Sequence, residues 1–173
     1  NGISINIPKL SEELGVPVLP IAANPGSSVP FSTAAELLAY AQEDQREMWQ
    51  LAALYESQRG SISQEEVFQR MKEILRIMKN SVEQGVQGTE YADRILGPQA
   101  YRMDHPGANA MLLPSELLNR VIRNITAIME VKSSMGVIVA APTAGSCGCL
   151  PGTLTAVGDV LGLEEDTVVK GLL

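Results

Sequence analysis

Apolar residues recur at helical spacing over three long stretches of the chain. In the first, Leu37, Leu38, Ala41, Met48, Leu51, Leu54 and Tyr55 lie on one stripe, which predicts a single long helix starting at Ser32 or Thr33 and ending at Gly60. Thr33 and Glu36 have the spacing of a capping box, in which hydroxyl and carboxylate each satisfy an orphan N–H. In the second, Val67, Met71, Ile74, Leu75, Met78 and Val82 form a continuous stripe up to Gly85, after a repeat of the capping spacing at Ser63 and Glu66. Met71 and Met78 read as adaptable core filler. Glu65, Glu66, Lys72, Glu73, Arg76 and Lys79 form the solvated side of that helix. Pro114 and Ser115 open the third helix, where Leu117, Leu118, Val121, Ile122, Ile125, Ile128 and Met129 make a broad apolar face with Arg120, Arg123, Asn124 and Glu130 off it.

Shorter patterns complete the chain. Leu154, Val157, Val160 and Leu161 predict a helix reaching Gly162, and Glu164 to Leu173 begins another. At the other end, Ile3, Ile5 and Ile7 alternate with other residues, Lys9 to Leu14 suit a turn or two of helix, and Val16 to Ala22 reads as a short strand. These make a small N-terminal αβ element. Asn24 to Pro30 has linker composition, which divides the chain near Ser28 into residues 1–28 and 29–173. Gln84 to Leu113 lacks clear periodicity and suits a functional loop or hidden short helices. It holds the one histidine, His105, read as a turn residue without an assigned role. Trp49 falls off the first stripe and is expected to be partly buried.

The segment between the third helix and the next differs from all of these. Gly136 to Ala141 is apolar and is expected to be a buried central stretch, extended or helical. Pro142 to Gly148 is then almost entirely small or hydroxylated. Thr143 and Ser146 place hydroxyls beside backbone N–H groups, and Gly145 and Gly148 remove side chains that would keep a ligand away. A helix starting near Leu150 or Pro151 would add its free N–H groups, so the expected ligand is a carboxylate or phosphate. Lys132, just upstream, is a second candidate for such an anion, although a helix C-terminus also attracts lysine. The alternative is a tight connection whose glycines serve only the turn.

Composition narrows the classes. The chain has 173 residues, 45% hydrophobic and 19% charged, with only 4% aromatic, so its core is built from Leu, Ile, Val, Ala and Met. A net charge of -7 without a basic patch argues against nucleic acid. There is no apolar run long enough for a membrane span and no basic-then-apolar leader, which predicts a cytoplasmic protein. The two cysteines, Cys147 and Cys149, do not suggest a disulfide framework.

The run S-M-G-V-I-V-A-A-P-T-A-G-S-C-G-C-L-P-G-T-L, Ser134 to Leu154, resembles the signature of the iron–sulfur-dependent L-serine dehydratases, in their α domain or α chain. The wider resemblance runs from about Phe31 to Leu173 and covers the front half of that α domain. It implies a mainly α fold and deamination of L-serine to pyruvate and ammonia, a reaction of amino-acid catabolism and gluconeogenesis. It also implies a [4Fe–4S] cluster acting as Lewis acid. By the same resemblance, Pro142, Thr143, Ala144, Gly145 and Ser146 hold the serine carboxylate. The cluster ligands would lie beyond Leu173, and Cys147 and Cys149 are then small buried residues, not metal ligands; a cluster with one open iron still needs three thiolates.

The implied partners are L-serine, the remaining C-terminal half, and a β regulatory domain or chain, in a homo- or hetero-oligomer. The sequence stops mid-helix by pattern, as a truncation would, so the chain alone is expected to be inactive, with apolar surface exposed on the third helix and the last two. Two other readings stay open: a cysteine desulfidase-type relative, and a non-catalytic helical domain that binds a small anion. Separately, Gly2 to Ala23 is similar to the closing part of the GTPase domain of prokaryotic ferrous-iron transporters. It includes no phosphate-binding loop, and no nucleotide binding is expected from it.

Overall fold

The computed structural model describes residue 9 and residues 29–92, 97–104, 113–143 and 145–173. Every regular element among them is helical: α1 (Ala34–Asp44), α2 (Met48–Gly60), α3 (Gln64–Gln87), a 3-10 turn (Ala100–Asp104), α4 (Glu116–Ser133), α5 (Cys149–Val160) and α6 (Glu165–Leu172). The protein is mainly α, as expected. The αβ element expected in residues 1–28 lies outside the described residues, apart from a helical Lys9, and His105 lies outside them as well. No described helix is long and apolar enough to cross a membrane. The chain divides into two compact units, one ending at Val67 and the other beginning at Phe68.

In the first unit, the capping box at Thr33 forms as expected: Thr33 Oγ1 accepts from Glu36 N at 3.2 Å, and Glu36 Oε2 accepts from Thr33 N at 3.1 Å. The expected single helix to Gly60 is instead two, α1 and α2. Gln45 takes a left-handed conformation, φ 49°, that ends α1, and Glu47 restarts the chain by exchanging hydrogen bonds with Gln50 across a second capping box. The rings of Phe31 and Tyr55 stack with centroids 5.2 Å apart, and Tyr40 lies 6.1 Å from Phe31. Trp49 is half-buried, and its indole N–H donates to Glu47.

The second unit is assembled on α4. Leu75 of α3 packs with Val168 and Val169 of α6, joined by Phe68, Met71, Leu154, Leu172 and Leu173. Lys72 pairs with Asp166 at 2.7 Å and Lys79 with Glu165 at 3.7 Å along the edge of that contact. These exposed pairs add little stability beyond alignment of the helices. Gly85 does not end α3, which continues to Gln87. It is the point where α3 crosses α4: a Cβ there would stand 2.2 Å from the Ala127 carbonyl oxygen.

Two charged side chains of α4, Arg123 and Glu130, grip the 3-10 turn. Glu130 Oε1 accepts from Gln99 N at 2.6 Å and Ala100 N at 3.1 Å, at the start of the turn. Arg123 Nη1 donates to both oxygens of Asp104 at its end, at 2.7 and 3.0 Å. Seven residues separate the two along α4, a rise of about 10 Å, which is close to the length of a five-residue 3-10 segment.

The apolar surface expected to be exposed on α4 is present, and Ile128 of the expected apolar face is buried, but Asn124 and Glu130, expected off that face, are buried as well. The buried residues of α4 are Asn124, Ala127, Ile128, Glu130 and Val131, while Leu117, Leu118, Ile122 and Met129 are exposed. Asn124 is tolerated inside because it is hydrogen-bonded, and Glu130 because its Oε1 accepts from two backbone N–H groups, while its Oε2 is buried and accepts no hydrogen bond among the described residues.

Acidification should loosen the first turn of α1. The Glu36 carboxyl is held below the ordinary carboxylate range, chiefly because it accepts from the Ser32 backbone N–H, then from the Ser32 hydroxyl and the Thr33 N–H. A lowered folded-state value gives a contribution complete above the unfolded pKa of about 4.3 and lost as pH falls through the lower, folded one. An NMR titration of the Glu36 side chain should give a midpoint below the unfolded value, and a midpoint at or above it would contradict the cap.

Candidate functional site

Helix α4 ends in a Schellman arrangement: Gly136 N donates to Val131 O at 2.8 Å and Met135 N to Lys132 O at 3.2 Å. Met135 sits in the left-handed position usually given to glycine, at φ 58°. Gly136 is needed next to it, since a Cβ there would stand 2.5 Å from Val131 Cγ1. This reversal sends the chain into residues 136–141. The expected burial of that stretch is only partly met: Val137 is 47% exposed and Ala140 is exposed, while Ala141 is buried. The segment is irregular, with neither strand nor helix.

After a cis bond between Ala141 and Pro142, Thr143 and Ser146 close a turn on each other. Ser146 N donates to Thr143 O at 3.1 Å, and Thr143 N donates to Ser146 Oγ at 3.2 Å. The two hydroxyl oxygens are 3.2 Å apart, and Ser146 Oγ donates to Ala141 O at 2.6 Å. Ser146 thus directs its one proton inward to Ala141. The Thr143 hydroxyl proton is the one a ligand can engage, on an exposed side chain. Pro142 and Gly145 are exposed too, so the structure brings Pro142, Thr143, Gly145 and Ser146 together in one turn; Ala144 lies outside the described residues.

The turn leads directly into α5 at Cys149, close to the expected start, with Pro151 in the first turn. Its N-cap, Gly148, supplies no side-chain cap. The positive end of that helix dipole therefore lies a few residues from Thr143 along the chain. Lys132 occupies the last turn of α4 and is half-buried.

Gly148 is not an opening for a ligand. It is buried with φ -88°, and a Cβ on it would stand 3.2 Å from Met129 Sδ. Gly152 is tighter, with its notional Cβ 2.8 Å from Ile125 N. Gly148 and Gly152 are where α5 lies against α4, and Ala156, four residues further on the same side of α5, is fully buried. Their spacing of four is visible in the sequence and was the available signal for this contact. Beside it, Asn124 Nδ2 donates to Thr155 Oγ1 at 3.0 Å, and Thr155 donates on to Pro151 O at 2.7 Å, all buried. That pair fixes the rotation of α5 and hence where the turn emerges.

The donor set does not fit a [4Fe–4S] cluster. Cys147 is fully buried, whereas Cys149, expected to be buried as well, is exposed at the first position of α5. No group of three or more His, Cys, Asp or Glu among the described residues could hold a metal ion.

Fold and turn together define a helical domain organised around one small-residue connection between two closely packed helices. Residues 33–173 match the family of the serine dehydratase alpha chain, and the chain belongs to that family. It is 28% identical over 142 residues to the probable L-serine dehydratase alpha chain of Bacillus subtilis, covering 82% of this chain and 47% of the relative. It is 24% identical over 144 residues to the L-serine dehydratase alpha chain of Peptoniphilus asaccharolyticus, covering 83% and 49%. A shorter match, 40% over 57 residues, joins it to the probable alpha chain of Latilactobacillus sakei, covering 33% and 27%. The chain thus spans about half the length of the first and second of these at most. No solved structure matches it.

Gly152→Ala should push α5 off α4 and lower stability by about 1–3 kcal/mol. Gly145→Ala, whose added Cβ meets only Thr143 Oγ1 at 3.5 Å, should stay within about 0.5 kcal/mol. Urea unfolding of both variants checks the pair, and equal losses would contradict the packing described.

Proposed function

We propose that this chain supplies the substrate-binding portion of an L-serine dehydratase, with the turn from Pro142 to Ser146 receiving the carboxylate of L-serine. The observation that carries the reading is the reciprocal hydrogen bonding of Thr143 and Ser146 immediately before an uncapped helix N-terminus. An incoming carboxylate would draw the Thr143 hydroxyl away from Ser146 and accept its proton, while Ser146 stays anchored to Ala141. Gly145 leaves the approach free of a side chain, and the α5 dipole favours the negative charge. Binding the carboxylate in this way orients the α-carbon and the β-hydroxyl of serine for elimination.

Family membership supports the reaction: loss of the α-proton and the β-hydroxyl gives an enamine, which tautomerises and hydrolyses to pyruvate and ammonia. The [4Fe–4S] cluster implied by the resemblance would draw its thiolates from polypeptide outside these residues, and the contribution assigned to this chain is binding and orientation. The relatives named alpha chains point to a companion β chain or domain, and residues 29–173 would act as one functional segment, distinct from residues 1–28.

An NMR titration of the chain with L-serine should shift the backbone amides of residues 143–150, and L-serinamide, which lacks the carboxylate, should not. Thr143→Val should weaken serine binding by about 10- to 150-fold, since a hydrogen bond to a charged group contributes about 1.5–3 kcal/mol. Equal shifts with serinamide, or shifts confined to other residues, would overturn the carboxylate reading.

A further inference from the structure

Helix α4 is apolar on two sides. Its inner side, Ala127, Ile128 and Val131, is buried, with α3 crossing at Ala127, and α5 lies along the flank of Ile125 and Met129. Its outer side carries Leu118 and Ile122, which are 45% and 41% exposed, and ends at Met129, which is 37% exposed with its Cγ and Sδ beside Gly148 of α5. Intervals of four and seven residues put these three on one line along the helix, about 16 Å long, with the half-buried Ile125 at its edge.

A helix bordering water normally turns a polar face outward, and one that is apolar all round belongs inside a larger body. The same unit follows that rule elsewhere: α3 sets Arg76, Asn80 and Glu83 on its exposed side. The other exposed large apolar residues of this unit, among them Met135, Val137, Leu150, Leu161 and Leu163, lie in turns or at helix ends, whereas Leu118 and Ile122 form a line along the body of α4.

The Bacillus subtilis relative is matched over 47% of its length, and the Peptoniphilus asaccharolyticus relative over 49%. Each of these alpha chains carries a further portion of comparable size that has no counterpart among the residues of this chain. We infer that the Leu118, Ile122 and Met129 stripe is the docking surface for that further portion of an alpha chain, which turns α4 from a surface helix into the central helix of the completed domain. A single-helix-wide stripe suits one helix laid along α4 within a domain. A self-sufficient dimer patch buries about 800 Å² per partner. The inference rests on family membership and not on the carboxylate reading, so the experiment below and the serine titration fail independently.

The test is thiol labelling of the full chain in a Cys149→Ser background, with a new thiol at Ile122→Cys or, as a solvated control, at Arg76→Cys. The probe is the part of the Bacillus subtilis relative outside the matched 142 residues. Cys147, fully buried, reports in every sample that the chain is folded. The expected result is rapid labelling at Ile122→Cys in the chain alone, at least tenfold slower labelling once the probe is added, and no change at Arg76→Cys. Undiminished labelling at Ile122→Cys with Cys147 still protected would overturn the inference. So would protection in the chain alone, which, if it rises with chain concentration, assigns the stripe to a second copy and otherwise to this chain's own residues.

Discussion

The second unit depends on how closely two helices can approach α4. A Cβ at Gly85 would stand 2.2 Å from Ala127 O, and one at Gly152 would stand 2.8 Å from Ile125 N. Backbone therefore lies against backbone on both flanks of one turn of α4, and any side chain at either glycine separates the helices. Close contact of this kind brings many atom pairs to their optimal distance, where individually small dispersion terms add up. It also limits sliding and rotation, and the buried Asn124 to Thr155 bond removes what freedom is left to α5. The turn from Pro142 to Ser146 is attached to the end of that fixed helix, so its position follows from a contact made by residues that are not part of it.

Charged groups serve the same helix in another way. Glu130 and Arg123 hold the two ends of the 3-10 turn from one face of α4, and Glu130 does so from a buried position. Leaving such a carboxylate without its donors would cost far more than a net hydrogen bond contributes. The turn and α4 are therefore coupled, and the segment between α3 and α4 is anchored at one defined place. With α3 and α6 joined through Leu75, Val168 and Val169, α4 has α3 and α5 on its flanks, and Leu118 and Ile122 are left exposed.

What could be read from the sequence was mostly local. The caps at Thr33, Ser63 and Ser115 are visible because a hydroxyl and its N–H partner lie three residues apart, and each one forms. The start of α5 followed from small residues giving way to an apolar-periodic segment, and the hydroxyl-bearing turn from its residue types alone. The break at Gln45 was hidden, since glutamine carries no sign of a left-handed conformation, and Glu47 with Gln50 forms a capping box without the usual hydroxyl residue. The inner face of α4 was misjudged because Asn124 and Glu130 are polar, and their partners lie about thirty residues away in sequence. Gly148 and Gly152 were legible as glycines, but their use as a helix contact appears only when Ala156 is read with them.

The proposal that this chain binds serine for an elimination completed with other polypeptide rests on membership of the serine dehydratase alpha chain family and on a hydroxyl-lined turn before a helix N-terminus. The most direct measurement is pyruvate formation from L-serine under anaerobic conditions with iron and sulfide. It compares this chain alone, the unmatched portion of the Bacillus subtilis relative alone, and the two together. The account predicts pyruvate only from the mixture. Pyruvate from the unmatched portion alone at the same rate, or no pyruvate from a mixture that has formed a complex, would contradict it.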